Sequence, residues 1–208
     1  MLFTLTRLYA IIDPARNQAI SPVELARMLV EAGVELIQYR NKGASSRRLF
    51  EDSGKILLIV RPKKATFIVN DRADIALLIG ADGVHLGQTD LPVERARKIL
   101  PPGAIIGIST HNLEQVRQAE ATAVAYIAFG PIFATVSKEK PVAVVGLDGL
   151  RRACEITRKP LVAIGGITRQ TARAVIEAGA DAVAVIGDLI DAPDPGERAR
   201  EFLEILKD

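Results

Sequence analysis

Apolar and polar residues alternate along this chain in blocks, and the block lengths set the reading. Short apolar runs fall at residues 8–13, 36–40, 66–71, 83–87, 105–110, 125–130, 161–164 and 182–186. They are mostly continuous rather than alternating, as expected of strands buried on both faces of a parallel sheet. Stretches with helical spacing separate them, at 22–33, 45–61, 73–79, 92–100, 113–121, 150–156, 170–178 and 196–207. The punctuation agrees. Ser21, Pro22 and Glu24 supply an N-cap, a first-turn proline and an acid three residues after the cap. Gly33 and Gly179 close their helices, and Pro101-Pro102-Gly103 stops another.

Eight strand–helix units in 208 residues predict an α/β fold, a (β/α)8 TIM barrel formed as one domain over residues 1–208. An open doubly wound sheet is the other arrangement this alternation allows. No Gly-x-Gly-x-x-Gly follows the first strand, however, so a dinucleotide fingerprint is missing. The longest stretch without a clear element is 131–145, and its place after the sixth strand makes it a candidate lid.

Composition narrows the function classes. The chain is 49% hydrophobic and 25% charged, as globular proteins are. A formal charge of +2, 4% aromatic residues and no Trp argue against nucleic acid as a partner, because neither a strong field nor a stacking surface is present. No run approaches the ~20 apolar residues of a membrane span, and no signal core follows a basic head, so the expected location is cytoplasmic with no membrane partner. Cys154 is the single cysteine and reads as a structural thiol. The basic residues of 45–64 read as a solvated helix face. No interface signature is legible, and a homo-oligomer stays open.

In a (β/α)8 barrel the chemistry belongs at the C-terminal ends of the strands. Polar residues gather there. Gln38, Arg40 and Lys42 alternate and so share one side of the second strand. A planar guanidinium and a mobile ammonium together suit phosphate oxygens. Asn70 and Asp71 end the third strand, and Asp90 follows the fourth. Two carboxylates without nearby cysteine suit a hard cation such as Mg2+, although a helix N-cap, or for Asp71 an ion pair with Arg72, would also explain them. Gly165-Gly166 and Gly187 end the seventh and eighth strands, where barrels commonly hold phosphate. His85 and His111 sit at strand tops, as do Ser109 and Thr110. Lys42 and Lys138 lie outside any apolar strand that would depress an amine pKa, so anion binding fits them better than a Schiff base.

Six motifs in order resemble thiamine-phosphate synthases. They are Gln38-x-Arg40-x-Lys42, Phe67-Ile68-Val69-Asn70-Asp71-Arg72, and the run from Gly80 through His85 and Gln88-x-Asp90-Leu91-Pro92. Ile108-Ser109-Thr110-His111, Gly130-Pro131-Ile132-Phe133-x-Thr135-x-Ser137-Lys138 and Ala163-Ile164-Gly165-Gly166-Ile167 complete the set. The likeness runs from about residue 8 to residue 190. It implies a barrel that condenses hydroxymethylpyrimidine diphosphate with hydroxyethylthiazole phosphate, releasing pyrophosphate by a dissociative, Mg2+-assisted substitution. It further implies that Gln38, Arg40, Lys42, Asn70 and Lys138 hold the pyrimidine diphosphate. Asp71 and Asp90 would bind Mg2+, and His85 and Ser109 would lie near the pyrimidine. Thr135, Ser137, Gly166, Ile186 and Gly187 would hold the thiazole phosphate. By the same resemblance Arg40, Lys42, Ser109 and Lys138 would take the catalytic part.

Three departures accompany the likeness. Ser137 stands where the family usually has Thr, Gly187 where Ser is usual, and Asn41 where an acid is usual. Three other readings compete: the thiazole tautomerase relative of the same fold, a non-catalytic binder of thiamine precursors, and a sugar-phosphate isomerase or aldolase. The last requires a carboxylate base or buried Schiff-base lysine that does not stand out.

Overall fold

The eight apolar runs pair edge to edge and close on themselves. In a computed structural model describing residues 5–135 and 143–207, the strands are β1 Leu8–Ile12, β2 Leu36–Tyr39, β3 Thr66–Asn70, β4 Gly83–Leu86, β5 Ile105–Thr110, β6 Tyr126–Phe129, β7 Leu161–Ile164 and β8 Ala182–Val185. Each pairs in parallel with the next, and β1 pairs with β8 through Leu8–Val183, Tyr9–Ala184 and Ala10–Val185. Closure leaves no unpaired strand edge.

The helices are α1 Pro22–Glu31, α2 Ser46–Val60, α3 Ala73–Ile79, α4 Val93–Ile99, α5 Leu113–Glu120, α6 Gly146–Ile156, α7 Ala172–Glu177, α8 Gly187–Ile190 and α9 Pro195–Ile205. Four start on a side-chain cap. Ser21 Oγ accepts from the Glu24 N–H at 3.1 Å, and Ser45 Oγ from Arg48 at 3.2 Å. Asn112 Oδ1 accepts from Gln115 and Asp194 Oδ1 from Glu197, each at 2.9 Å. Each cap satisfies an N–H that the helix itself leaves without a partner.

Two apolar layers explain why the strands read as continuous runs. Ala10, Ile12, Ile37, Tyr39, Phe67 and Val69 pack outward against helix residues such as Leu25, Leu29, Ile56 and Phe202. Their strand neighbours Tyr9, Ile11, Leu36, Ile68, Tyr126 and Val162 form a separate inner cluster. Side chains alternate between faces along a strand, and here both faces are dry. The inner cluster is too crowded for side chains everywhere. A Cβ on Gly107 would lie 2.5 Å from Tyr126 Cε2, and one on Gly83 would collide with the Ile105 carbonyl and stand 2.7 Å from its Cβ.

The expected closed barrel is therefore the one that forms. Two helical segments escaped the periodicity. α6 begins at Gly146, four residues before the spacing becomes legible, and α8 is a single turn behind β8. Asp71 lies just beyond β3 with φ 62°, a left-handed backbone that Asp tolerates better than most residues. Residues 136–142 of the candidate lid, with Ser137 and Lys138, lie outside the described residues. Among the described residues no helix is long and apolar enough to cross a membrane.

Gly83→Ala places a methyl group against the β5 backbone, which cannot swing aside as a side-chain tip can. The expected loss is about 2–3 kcal/mol in urea unfolding. Gly43→Ala, with nothing within 4 Å of the added carbon, is the control, expected within about 0.5 kcal/mol of the parent.

Candidate active site

Charge concentrates where β2, β3 and β4 end. Beyond β3, the Asp71 N–H still donates to the His85 carbonyl at 2.8 Å, which fixes its backbone beside β4. Its carboxyl meets Lys42 Nζ at 3.1 Å and lies beside the carboxylate of Asp90. Asp90 is held in turn by the Gly87 N–H, 2.6 Å from Oδ2. Burial first, then the neighbouring Asp90, pushes the Asp71 carboxyl up to about 6, against the pull of Lys42. Neither acid caps a helix. Arg72 precedes α3 and turns to Asp74 at 2.6 Å rather than to Asp71, and Pro92 precedes α4. Among the described residues no group of three or more His, Cys, Asp or Glu assembles. A cation here would complete its shell with water or with ligand oxygens.

Arg40 follows β2 with its N–H on the Ile12 carbonyl at 2.9 Å. Its guanidinium forms an ion pair with Asp13, which is 2% exposed and also accepts from the Ala15 N–H at 3.1 Å. Asp13 thereby fixes the direction of Arg40, a role its place at the end of an apolar run did not reveal. Lys42 is half-exposed and keeps its reach.

Inside the barrel mouth a second set of polar groups forms a relay. Gln38 Nε2 donates to Tyr9 Oη at 2.6 Å, and Tyr9 Oη meets Tyr126 Oη at 2.8 Å. Tyr126 Oη meets His85 Nδ1 at 2.9 Å, and His85 Nε2 meets Ser109 Oγ at 2.8 Å. Gln88 Nε2 adds a bond to the Ser109 carbonyl at 2.6 Å. Gln38 is buried inside the barrel and already bonded to Tyr9, whereas Arg40 and Lys42, expected on its side of the strand, come after β2 has ended at Tyr39. Asn70 pairs in register with His85 and is buried beside it. Tyr9 and Tyr126 were missed because they sit in apolar strands. The signal available was a phenol at an inward position, which must find a partner.

The far side of the mouth is built by backbone. Gly165 and Gly166 have φ 98° and 65°. A Cβ on Gly166 would collide with the Ala134 carbonyl and stand 2.8 Å from Phe133 Cβ. Ile132 donates to the Ile164 carbonyl at 2.9 Å and Phe133 to Gly165 at 3.0 Å, which draws the segment leading to Thr135 across this turn. Gly187 opens α8 after the half-buried Ile186. Arg16, unflagged by the sequence, pairs with Asp191 and would stand 3.2 Å from a Cβ on Gly187.

At the top of β5, His111 Nδ1 meets the Gly130 carbonyl at 2.7 Å. Cys154 is half-buried against Ala178 and Gly179, and burial pushes its thiol up, as suits a structural thiol. Arg47, Lys55, Arg61, Lys63 and Lys64 are exposed.

Residues 8–189 match the family described as thiamine monophosphate synthase. A thiamine-phosphate synthase of Koribacter versatilis (strain Ellin345) is 50% identical over 207 residues, spanning 97% of this chain and 96% of that one. One from Archaeoglobus fulgidus is 42% identical over 184 residues, spanning 88% and 86%. Among solved structures, thiamine phosphate pyrophosphorylase from Pyrococcus furiosus superposes with a TM-score of 0.88 at 38% identity, covering 96% of this chain and 94% of that one.

The raised Asp71 carboxyl has a stability consequence. The folded protein holds this proton more tightly than the unfolded chain does. Its contribution to stability is therefore present at about pH 4 and is lost as pH rises through about 6. Asp71→Asn stays neutral throughout. In metal-free buffer the stability of Asp71→Asn relative to the parent should rise between pH 4 and pH 7, by at most about 2–3 kcal/mol. Parallel stability curves for the two proteins would contradict the assignment.

Proposed function

This chain belongs to the thiamine monophosphate synthase family and its activity is thiamine-phosphate synthesis, and we propose that the strand-top site joins hydroxymethylpyrimidine diphosphate to hydroxyethylthiazole phosphate with the division of labour that follows. The facing carboxylates of Asp71 and Asp90 beside Lys42 carry the proposal. Two acids crowded together in a half-buried position are unfavourable unless a cation sits with them. Their hard oxygens suit Mg2+, and the Lys42 ammonium already provides one positive charge at Asp71. When bound there, Mg2+ would neutralise diphosphate oxygens as the leaving group gains charge.

The remaining groups divide by substrate. Arg40, Lys42 and Asn70, with Lys138 from outside the described residues, hold the diphosphate. Arg40 arrives pre-aimed, since its ion pair with Asp13 restricts its rotamers before substrate binds. His85 and Ser109 contact the pyrimidine, with Gln38 behind them. Thr135, Ser137, Gly166, Ile186 and Gly187 hold the thiazole phosphate on the opposite side of the mouth.

The bond changes balance without a protein nucleophile. The C–O bond to the diphosphate breaks with its electron pair, leaving a methylene cation stabilised by the aminopyrimidine. The thiazole nitrogen then donates its lone pair to that carbon, and the products are thiamine phosphate and pyrophosphate. The protein's task is to neutralise the departing charge and hold the two reactants in line. A tautomerase or a precursor-binding protein has no use for paired carboxylates beside a cationic clamp. Both substrates are multiply charged and cross no bilayer unaided, which supports a cytoplasmic location.

Purified protein supplied with both substrates and Mg2+ should release thiamine phosphate and pyrophosphate in equal amounts, and EDTA should abolish turnover until Mg2+ is restored. Asp71→Ala and Asp90→Ala should each lower kcat by about 10²–10³. Lys42→Ala should mainly raise the KM for the pyrimidine diphosphate. Turnover indifferent to EDTA and to both acid substitutions would refute the metal assignment.

A further inference from the structure

We propose that Tyr9 and Tyr126 are positioning residues that fix the tautomer of His85, and through it make the Ser109 hydroxyl a hydrogen-bond donor toward an acceptor nitrogen of the bound pyrimidine. The inference rests on the placement of that ring beside His85 and Ser109. It follows from counting protons along the relay.

Gln38 Nε2 donates to Tyr9 Oη at 2.6 Å. Tyr9 has one hydroxyl proton and one further partner, so that proton goes to Tyr126 Oη at 2.8 Å. Tyr126, already accepting, has its own proton to give to His85 Nδ1 at 2.9 Å. An imidazole that accepts at Nδ1 keeps its hydrogen on Nε2, which then donates to Ser109 Oγ at 2.8 Å. The Ser109 oxygen is thereby engaged as an acceptor, and its own proton is left for the substrate. Reversing any single link would set two protons or two lone pairs face to face in a dry interior. The polarity therefore switches as a whole or not at all.

The relay is stiff. Both phenols are fully buried. Burial pushes both hydroxyls well above their ordinary range, so each keeps its proton. The Tyr126 ring stacks on His85 at 5.6 Å and 19°, and meets Tyr9 edge-on at 5.8 Å and 86°. Its hydroxyl end lies over Gly107, where any larger residue would displace it. A hydroxyl donor complements a ring nitrogen. An analogue with C–H in place of that nitrogen would face the same proton with nothing to accept it.

The test is long-range 1H–15N correlation on 15N-histidine protein without substrates, with His85 assigned by His85→Gln. The parent should show His85 with hydrogen on Nε2. Tyr126→Phe should yield a tautomer mixture, lower kcat/KM for the pyrimidine diphosphate about tenfold, as for one misdirected hydrogen bond, and leave the KM for the thiazole phosphate unchanged. Tyr9→Phe keeps Tyr126 in place and should shift the tautomer in the same direction, so the result does not hang on one variant folding. An Nδ1–H tautomer in the parent would overturn the proposal, as would both variants retaining the parent tautomer and kinetics. The spectrum needs no turnover. An active synthase with the wrong tautomer sinks only this inference, whereas absent turnover with the expected tautomer counts against the substrate assignment.

Discussion

Closure of the barrel is the constraint from which the rest follows. Once β1 pairs with β8, every strand is bonded on both sides and buried on both faces. Polar side chains then have two places to go: into the interior, where each must find a partner, or out of the mouth, where a ligand or solvent meets them. The interior tyrosines and His85 take the first course, and Lys42 and the carboxylates of Asp71 and Asp90 take the second. Gly83 and Gly107 belong to the same constraint, because parallel strands this close leave no room for a side chain at every inward position.

Charge at the mouth is arranged in pairs that differ in purpose. Asp13 and Arg40 are matched and fixed, so a guanidinium is pre-aimed with its rotamers restricted. Asp71 and Asp90 are mismatched, with Lys42 only partly offsetting them. A matched pair serves rigidity, whereas a mismatched one stores electrostatic discomfort that an arriving cation relieves. The opposite side of the mouth relies on backbone instead, with Gly165 and Gly166 in left-handed conformations beneath the segment that leads to Thr135. That division suits the proposed reaction, in which one substrate would lose a diphosphate while the other is held by its phosphate.

Much of this was legible in the sequence because it depends on local spacing. Continuous apolar runs at regular intervals marked the parallel strands, and Ser21 and Pro22 marked a helix start. Alternation put Gln38 on the inner side of β2, whereas Arg40 and Lys42 follow after the strand has ended at Tyr39. What stayed hidden depends on partners far apart in the chain. Asp13 looked like the tail of a strand until Arg40 met it. Tyr9 and Tyr126 looked like core residues, and only closure brings them within 2.8 Å. The single-turn α8 is too short to show a period, and Arg16 is remote in sequence from the Gly187 it approaches. The left-handed Asp71 was also invisible, although its carboxyl depends on that turn.

The central claim is that Asp71 and Asp90 form a cation site shared with the leaving diphosphate. Calorimetric titration of pyrophosphate into the protein, with and without Mg2+, tests it without any need for turnover. The account predicts strong binding in the presence of Mg2+, weak binding in EDTA, and loss of that difference in Asp90→Asn. Equal affinity with and without Mg2+ in the parent protein would contradict it and leave Arg40 and Lys42 to hold the diphosphate alone.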